Sequence, residues 1–196
     1  MARKSLTKNE IDSFRADYCG KAYDLYKQND YHAVSMRGIA KAMKCSPMLA
    51  YRYFEDKEDV FASLRAILFH RLADKLESVS DSLSPLNYLR ELGMAYADFA
   101  QQEPFAYRLL YMIHIQKAKS YPKVEQAQLR TQEVLVNATL RAKDAGDIEG
   151  DPIVLVHTLW AAIHGLVSLE LGNQLKHGAG FNKLFPSMLQ QLLKKN

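Results

Sequence analysis

Ser35, Arg37, Ser46, Tyr51, Arg52 and Lys57 fall within one stretch, Val34 to Val60, and what they share is the ability to donate hydrogen bonds to anions. Arginine and lysine neutralise phosphates. Serine and tyrosine hydroxyls donate to phosphate oxygens without reading a base. Pro47, Met48 and Leu49 lie among them and offer apolar contact of the kind a thymine methyl accepts. Arg52 can fork onto guanine or bind a phosphate. Leu49 and Tyr53 are claimed both by this surface and by a core face. The same residues also suit a compact three-helix corner with an ordinary charged skin, and residue types alone leave both readings open.

Other chemistry is missing. There is no glycine-rich phosphate loop, no G-x-S-x-G and no H-E-x-x-H. None of the six histidines pairs with a carboxylate or cysteine at the helical spacing of a metal site. His157 and His164 lie seven residues apart, which puts them on one helix face, where core or interface roles are the ordinary ones. No catalytic residue, cofactor or metal is expected.

The elements that must position the anion donors are legible. Ser35 is a helix N-cap, with Ile39, Ala40 and Met43 behind it at helical spacing. Ser46-Pro47 is a second start, a capping hydroxyl followed by proline at the first helical position. Only Lys44-Cys45 separates Met43 from that cap, so the two short helices meet at a steep angle, as in a helix-turn-helix. Asp56 caps a third start, and Glu58 and Asp59 follow in its first turn, where the helix dipole favours acids. Leu49, Ala50, Tyr53 and Phe54 supply the second helix with a core face, leaving Met48, Tyr51 and Arg52 on other faces.

The charge distribution agrees. Net charge is +4, but residues 1–54 carry ten Lys/Arg against five Asp/Glu, so the positive excess lies with the proposed DNA surface. Cys19 and Cys45 make no disulfide framework and lack metal-ligand spacing; both are expected reduced, as in a cytoplasm. The basic, polar start M-A-R-K-S-L-T-K is not a signal peptide, and no stretch is read as apolar and long enough to span a membrane.

V-S-M-R-G-I-A-K-A-M and S-P-M-L-A-Y-R-Y-F-E-D-K-E-D-V-F resemble the DNA-binding domain of the tetracycline-repressor (TetR) family over about the first third of the chain. Ser35, Ile39-Ala40, Ser46, Tyr51-x-Tyr53-Phe54 and Lys57 followed by an acid carry the likeness. Two positions depart from it: Lys44 stands where the family usually has glycine, and Ala50 where it has a larger aliphatic residue. The resemblance implies a homodimer on double-stranded operator DNA, a repressor role and a small-molecule effector.

Thr7 and Glu10 form a capping box for the first helix, whose face is Ile11, Phe14, Tyr18, Ala22, Leu25 and Tyr26; Asn29-Asp30 is expected to end it in a left-handed turn. Arg3 and Lys4 are either a solvated start or an arm along a DNA groove. The helix after Asp56 shows Val60, Phe61, Leu64, Ile67, Leu68, Leu72, Leu76 and Val79 at the helical period to about Ser80. Beyond it the pattern is helical throughout, broken at Ser78–Pro85, Pro104, Tyr121-Pro122, Gly146–Gly150, Gly172-Asn173 and His177–Gly180. The expected fold is all-α, in three parts: a three-helix DNA-binding domain (1–54), a bridging helix (55–80), and a helical effector-binding and dimerisation domain (81–196). W-A-A-I-H-G, Trp160 to Gly165, resembles the W-x-x-x-H-G signature of one subclass of TetR C-terminal domains.

Residues 153–171 are apolar nearly all round, which requires burial on every side. A two-fold interface through the last two long helices, about 152–173 and 181–195, would provide it. Tyr96, Phe99, Tyr107, Tyr111, Met112, His114, Trp160 and His164 combine apolar bodies with a few polar tips, the make-up of a small-molecule site and equally of a plain aromatic core. They are the candidate effector residues, for a small, largely apolar ligand. The alternatives are a DNA-binding regulator controlled by a protein partner, and a helical enzyme or carrier whose N-terminal hairpin is only structural.

Overall fold

The computed structural model describes residues 7–178 and 180–193, apart from the Ser120 side chain. The Arg3-Lys4 arm and residues 194–195 of the closing helix lie outside them. Among the described residues there are nine α-helices and no strand.

α1 (Lys8–Gln28) opens on the expected capping box. Thr7 Oγ1 accepts from the Glu10 N–H at 3.3 Å, and the Glu10 carboxylate accepts from the Thr7 N–H at 2.7 Å. Its other end departs from expectation. Asn29 and Asp30 are extended, with φ −134° and −87°. The reason is local: the Asn29 backbone N–H and Nδ2 both donate to the Leu25 carbonyl at 3.0 Å, so that orphan carbonyl needs no left-handed residue.

α2 (Met36–Ala42) and α3 (Pro47–Ala50) are capped as the sequence indicates. Ser35 Oγ accepts from the Gly38 N–H at 3.1 Å, and Ser46 Oγ from the Leu49 N–H at 3.3 Å. The turn between them is left-handed at Lys44, φ 53°. It closes with Cys45 N–H to the Ala40 carbonyl (3.0 Å) and Lys44 N–H to the Lys41 carbonyl (3.1 Å), the pattern that usually selects glycine. α4 (Lys57–Glu77) starts on reciprocal caps: Asp56 Oδ1 accepts from the Asp59 N–H, and Asp59 Oδ2 from the Glu55 N–H, each at 3.0 Å.

The chain divides into two compact units, residues 1–68 with 109–127, and 69–108 with 128–196. α4, α6 (Pro104–Tyr111) and α7 (Pro122–Asp144) each run through a division. In the first unit Tyr18, Phe54 and Phe61 are buried. The Tyr18 and Phe54 rings stack at 5.2 Å, and Tyr31 meets Phe61 edge-on at 4.8 Å. Tyr18 donates its hydroxyl to the Met36 carbonyl at 2.8 Å, pinning α2 onto α1. On α4 the buried face is carried by Leu64, Leu68, Leu72 and Leu76 at intervals of four. Ile67, read as part of that face, is exposed, and Val79 lies past the helix end.

The second unit contains α5 (Pro85–Gln102), α8 (Pro152–Leu171) and α9 (Phe181–Leu192). They close around Gly93, where an added Cβ would lie 3.2 Å from both Ile163 Cδ1 and Phe185 Cζ. A side chain there would require Ile163 and Phe185 to give way by a few tenths of an ångström. Pro186, with no N–H to give, sits inside α9 on an exposed position. α8 corrects one expectation. By length and composition it is apolar enough to cross a membrane, with 28% of its apolar window buried. A core or interface helix meets the same measure.

Candidate nucleic-acid interface

α3 is a single turn, and burial sorts its residues sharply. Ala50 and Phe54 are fully buried, Leu49 and Tyr53 half-buried, and Pro47 and Arg52 exposed, while Met48 is 78% and Tyr51 55% exposed. Ser35, Arg37 and Ser46 are exposed as well. The two serine oxygens accept the cap bonds, which leaves their hydroxyl protons available to an anion. Tyr53 is half-claimed by the core, its ring 5.2 Å from that of Phe14.

Lys57 is not extended into solvent. Its Nζ donates to the Tyr31 carbonyl at 2.9 Å and sits 4.2 Å from the Tyr31 ring centroid. Burial pulls its pKa below that of a free lysine, while the Asp30 and Glu58 carboxylates act the other way. That carbonyl takes one ammonium proton, and two remain for a phosphate. Lys41, four residues from Arg37 on α2, and Lys44 in the turn are both exposed and add positive charge.

Three cations that sequence reasoning did not single out, Arg15, Lys117 and Arg65, hold this surface in place. The Arg15 guanidinium donates to the Tyr53 carbonyl, to Ser63 Oγ at 3.0 Å and to the Tyr121 hydroxyl at 3.1 Å. Lys117 Nζ lies 2.6 Å from Glu55 Oε2 and 2.7 Å from Asp56 Oδ2. Arg65 donates to the Leu109 carbonyl at 2.7 Å and to that of Ile113. Their partners are far away in sequence, so no local spacing signals them.

The candidate effector residues separate. Tyr96, Phe99 and Tyr107 are buried, and Trp160 and His164 half-buried, all in the second unit. Trp160 Nε1 donates to the Tyr96 hydroxyl at 3.3 Å, and the Tyr107 hydroxyl lies 2.6 Å from His164 Nδ1. Burial lowers the His164 pKa and pushes the Tyr107 phenol far up, so both are neutral at pH 7. Tyr111 is half-buried, and Met112 and His114 are exposed; all three belong to the first unit. A cavity of about 30 Å³, near the size of one water, is lined by Leu89, Gly93, Tyr96, Leu135, Val156, Leu159, Trp160, Ile163 and Leu189.

A family model for bacterial regulatory proteins of the tetR family matches residues 21–64. A second model, described as a tetracyclin repressor-like C-terminal domain, matches residues 89–192, more than half of the chain. The chain belongs to the TetR family. No curated protein matches the sequence. Among solved structures, regulatory protein SCO4313 is similar at 22% identity and a TM-score of 0.79, over 96% of this chain and 99% of that one. The fatty acid degradation regulator FadR from Bacillus halodurans is similar at 18% identity and 0.73, over 97% of each chain. A TetR family transcription regulator from Marinobacter aquaeolei VT8 is similar at 22% and 0.71, over 95% of this chain and 98% of that one. At such identities the likeness is one of fold. The protein thus has the TetR-family transcription-regulator fold with an N-terminal DNA-binding domain. Members of the family are non-enzymatic proteins that bind operator DNA and typically act as dimers with small-molecule effectors. The left-handed Lys44 shows how this TetR-family chain makes its turn without the usual glycine.

Proposed function

We propose that the protein is a cytoplasmic repressor that binds a (pseudo)palindromic operator as a homodimer and is released by a small, largely apolar effector. The observation that carries the reading is the division on α3, with Ala50 and Phe54 buried beneath exposed Met48, Tyr51 and Arg52. Pro47, Met48, Leu49 and Arg52 enter the groove. Tyr51, Ser35, Ser46, Arg37 and Lys57 hold phosphates, with Tyr53 at the margin. Residues 1–54 are the DNA-binding part, 55–80 the bridge, and 81–196 the effector-binding and dimerisation part.

Dimerisation is supported by the outer face of α8, where Val154 is 63% exposed and Ile153, Ala161 and Leu169 are exposed with it. On α9, half-buried Leu184, Met188 and Leu192 recur every fourth residue. Unfilled apolar stripes on neighbouring helices suit a second copy of the same chain. Selection of duplexes from a random pool by the purified protein is the test: enrichment of a two-fold-related motif is expected, and recovery of unenriched sequence would refute operator binding.

A second reading is a DNA-binding regulator without a small-molecule ligand, controlled by a protein partner. The size of the cavity beside Tyr96 and Trp160, about 30 Å³, favours it, since an effector must open more room. A thermal-shift screen of apolar compounds separates the two, because a ligand that binds only the folded state raises the melting temperature.

A further inference from the structure

α3 is four residues long, too short to hold a helix by itself, so its neighbours set where it sits. Ser46 caps one end. Beyond the other, the Tyr53 and Phe54 N–H groups both return to the Ala50 carbonyl at 3.0 Å, and the carbonyl of Tyr53, in this following turn, accepts from Arg15, whose guanidinium carbon lies 4.2 Å from the Phe54 ring centroid. The rest of the Arg15 fork reaches Ser63 Oγ (3.0 Å), Tyr121 Oη (3.1 Å) and, at 3.5 Å, the Asp59 carboxylate. Ser63 Oγ and Tyr121 Oη are themselves 2.8 Å apart. The group fixing the turn after the reading helix is thus held by a residue 106 positions later in the chain than itself.

A second tie lies close in sequence to Tyr121. Lys117 Nζ bridges the carboxylates of Glu55 and Asp56, and its backbone N–H donates to Glu58 Oε2 at 3.2 Å. Glu55 and Asp56 are the whole connection between Phe54 and the first residue of α4, the candidate phosphate ligand Lys57. Arg65 anchors the start of the same segment by the carbonyls of Leu109 and Ile113.

We propose that residues 109–121 form a strap on the DNA-binding unit, in which Lys117 and Tyr121 are positioning residues for operator binding. The proposal rests on the reading of α3 as the DNA-reading helix. Tyr121, through Arg15, fixes the turn that closes α3 at Tyr53. Lys117 fixes the connection that presents Lys57 and offsets two carboxylates that would otherwise repel the DNA backbone. A helix held in place before binding loses less freedom on binding.

The test uses full-length Tyr121→Phe and Lys117→Gln, each checked for native helicity. Hydrogen exchange of the amides of residues 46–57 is followed in the free protein, and affinity for the selected operator is measured across a salt series. Both variants should exchange faster over 46–57 and bind about threefold to tenfold more weakly, the worth of one or two hydrogen bonds. The log-log salt slope should not change, because no phosphate contact is lost. Adding Glu55→Gln and Asp56→Asn to Lys117→Gln should recover part of the affinity; asparagine preserves the α4 cap. Native exchange and native affinity in both variants would overturn the strap. A slope shallower by about one unit in Lys117→Gln would also overturn its positioning role, since it would then be a phosphate ligand. If the parent protein bound no duplex, the reading of α3 would fail, while the exchange data would still decide whether the strap holds that helix.

Discussion

The surfaces of α3 and α8 both expose large apolar side chains. On α3, Met48 stands out of a surface with Arg37, Arg52, Lys41 and Lys44 also exposed; on α8, Val154 stands beside Ile153, His157, Thr158 and Ala161, with no lysine or arginine along the helix. Apolar exposure alone does not identify the partner, because the side chains around it do. Basic neighbours on a single capped turn fit a polyanion, with the apolar groups meeting base edges. An uncharged stripe along a twenty-residue helix fits another apolar stripe. That difference can be broken by placing the same unwanted charge on each face in turn.

Val154→Glu should have the largest effect. A carboxylate in a two-fold interface is buried twice, so the dimer should dissociate at micromolar concentration, as read by light scattering. Operator affinity should fall by about a hundredfold or more as the two half-sites lose their linkage. Met48→Glu should abolish operator binding comparably while leaving the mass that of the wild type. If Val154→Glu were to remain a dimer with native affinity, α8 would not be the interface.

Next in size are the changes that divide the DNA face into positioning and reading. Lys57→Ala should weaken binding to operator and scrambled duplex alike and make the log-log salt slope shallower by about one unit. Because Lys57 rests on the Tyr31 carbonyl in the free protein, an unchanged slope would mean that it stays there and acts only on the fold. Arg52→Ala should instead relax preference at one base pair per half-site, by about 1–3 kcal/mol if its fork reads guanine. A uniform loss would move Arg52 to the phosphates.

The ease with which each region could be read from sequence follows from how far apart its partners lie. Thr7 with Glu10, Ser35 with Gly38, Ser46 with Leu49, Asp56 with Asp59 and Asp151 with Ile153 are hydrogen-bonded within three residues, so side-chain type and spacing announce them. The helix-turn-helix and its exposed residues follow from those caps. Arg15 with Tyr121 and Lys117 with Glu55 are 106 and 62 residues apart, and nothing local marks them. The grouping of residues 109–127 with the N-terminal helices escaped notice for the same reason. So did the exposure of Met112 and His114, which composition had grouped with the buried aromatics. In the second unit, composition suggests an aromatic pocket, but close packing around Gly93 is a matter of shape, which composition does not carry.

The smallest effects come from helix ends, where the two regions can be compared directly. α2, α7 and α8 end on the same motif, with one N–H reaching back five residues and the one before it reaching back three. The pairs are Cys45 to Ala40 with Lys44 to Lys41, Asp147 to Ala142 with Gly146 to Lys143, and Gln174 to Leu169 with Asn173 to Glu170. The left-handed residue is Lys44 (φ 53°), Gly146 (φ 71°) and Asn173 (φ 51°) respectively. In that conformation a Cβ crowds the neighbouring carbonyl, by about 1–2 kcal/mol for an ordinary residue and less for asparagine. Lys44→Gly should therefore stabilise the protein by about 1 kcal/mol, less what the freer unfolded chain takes back. Asn173→Gly should change stability by only a few tenths of a kcal/mol, and Gly146→Ala should destabilise by about 1 kcal/mol. Urea unfolding of the three variants checks the order. If Lys44→Gly were neutral or destabilising, the Lys44 side chain would have to make a compensating contact in the folded state. If it stabilised the fold while weakening DNA binding with a shallower salt slope, lysine at this turn would be explained by its charge rather than its backbone.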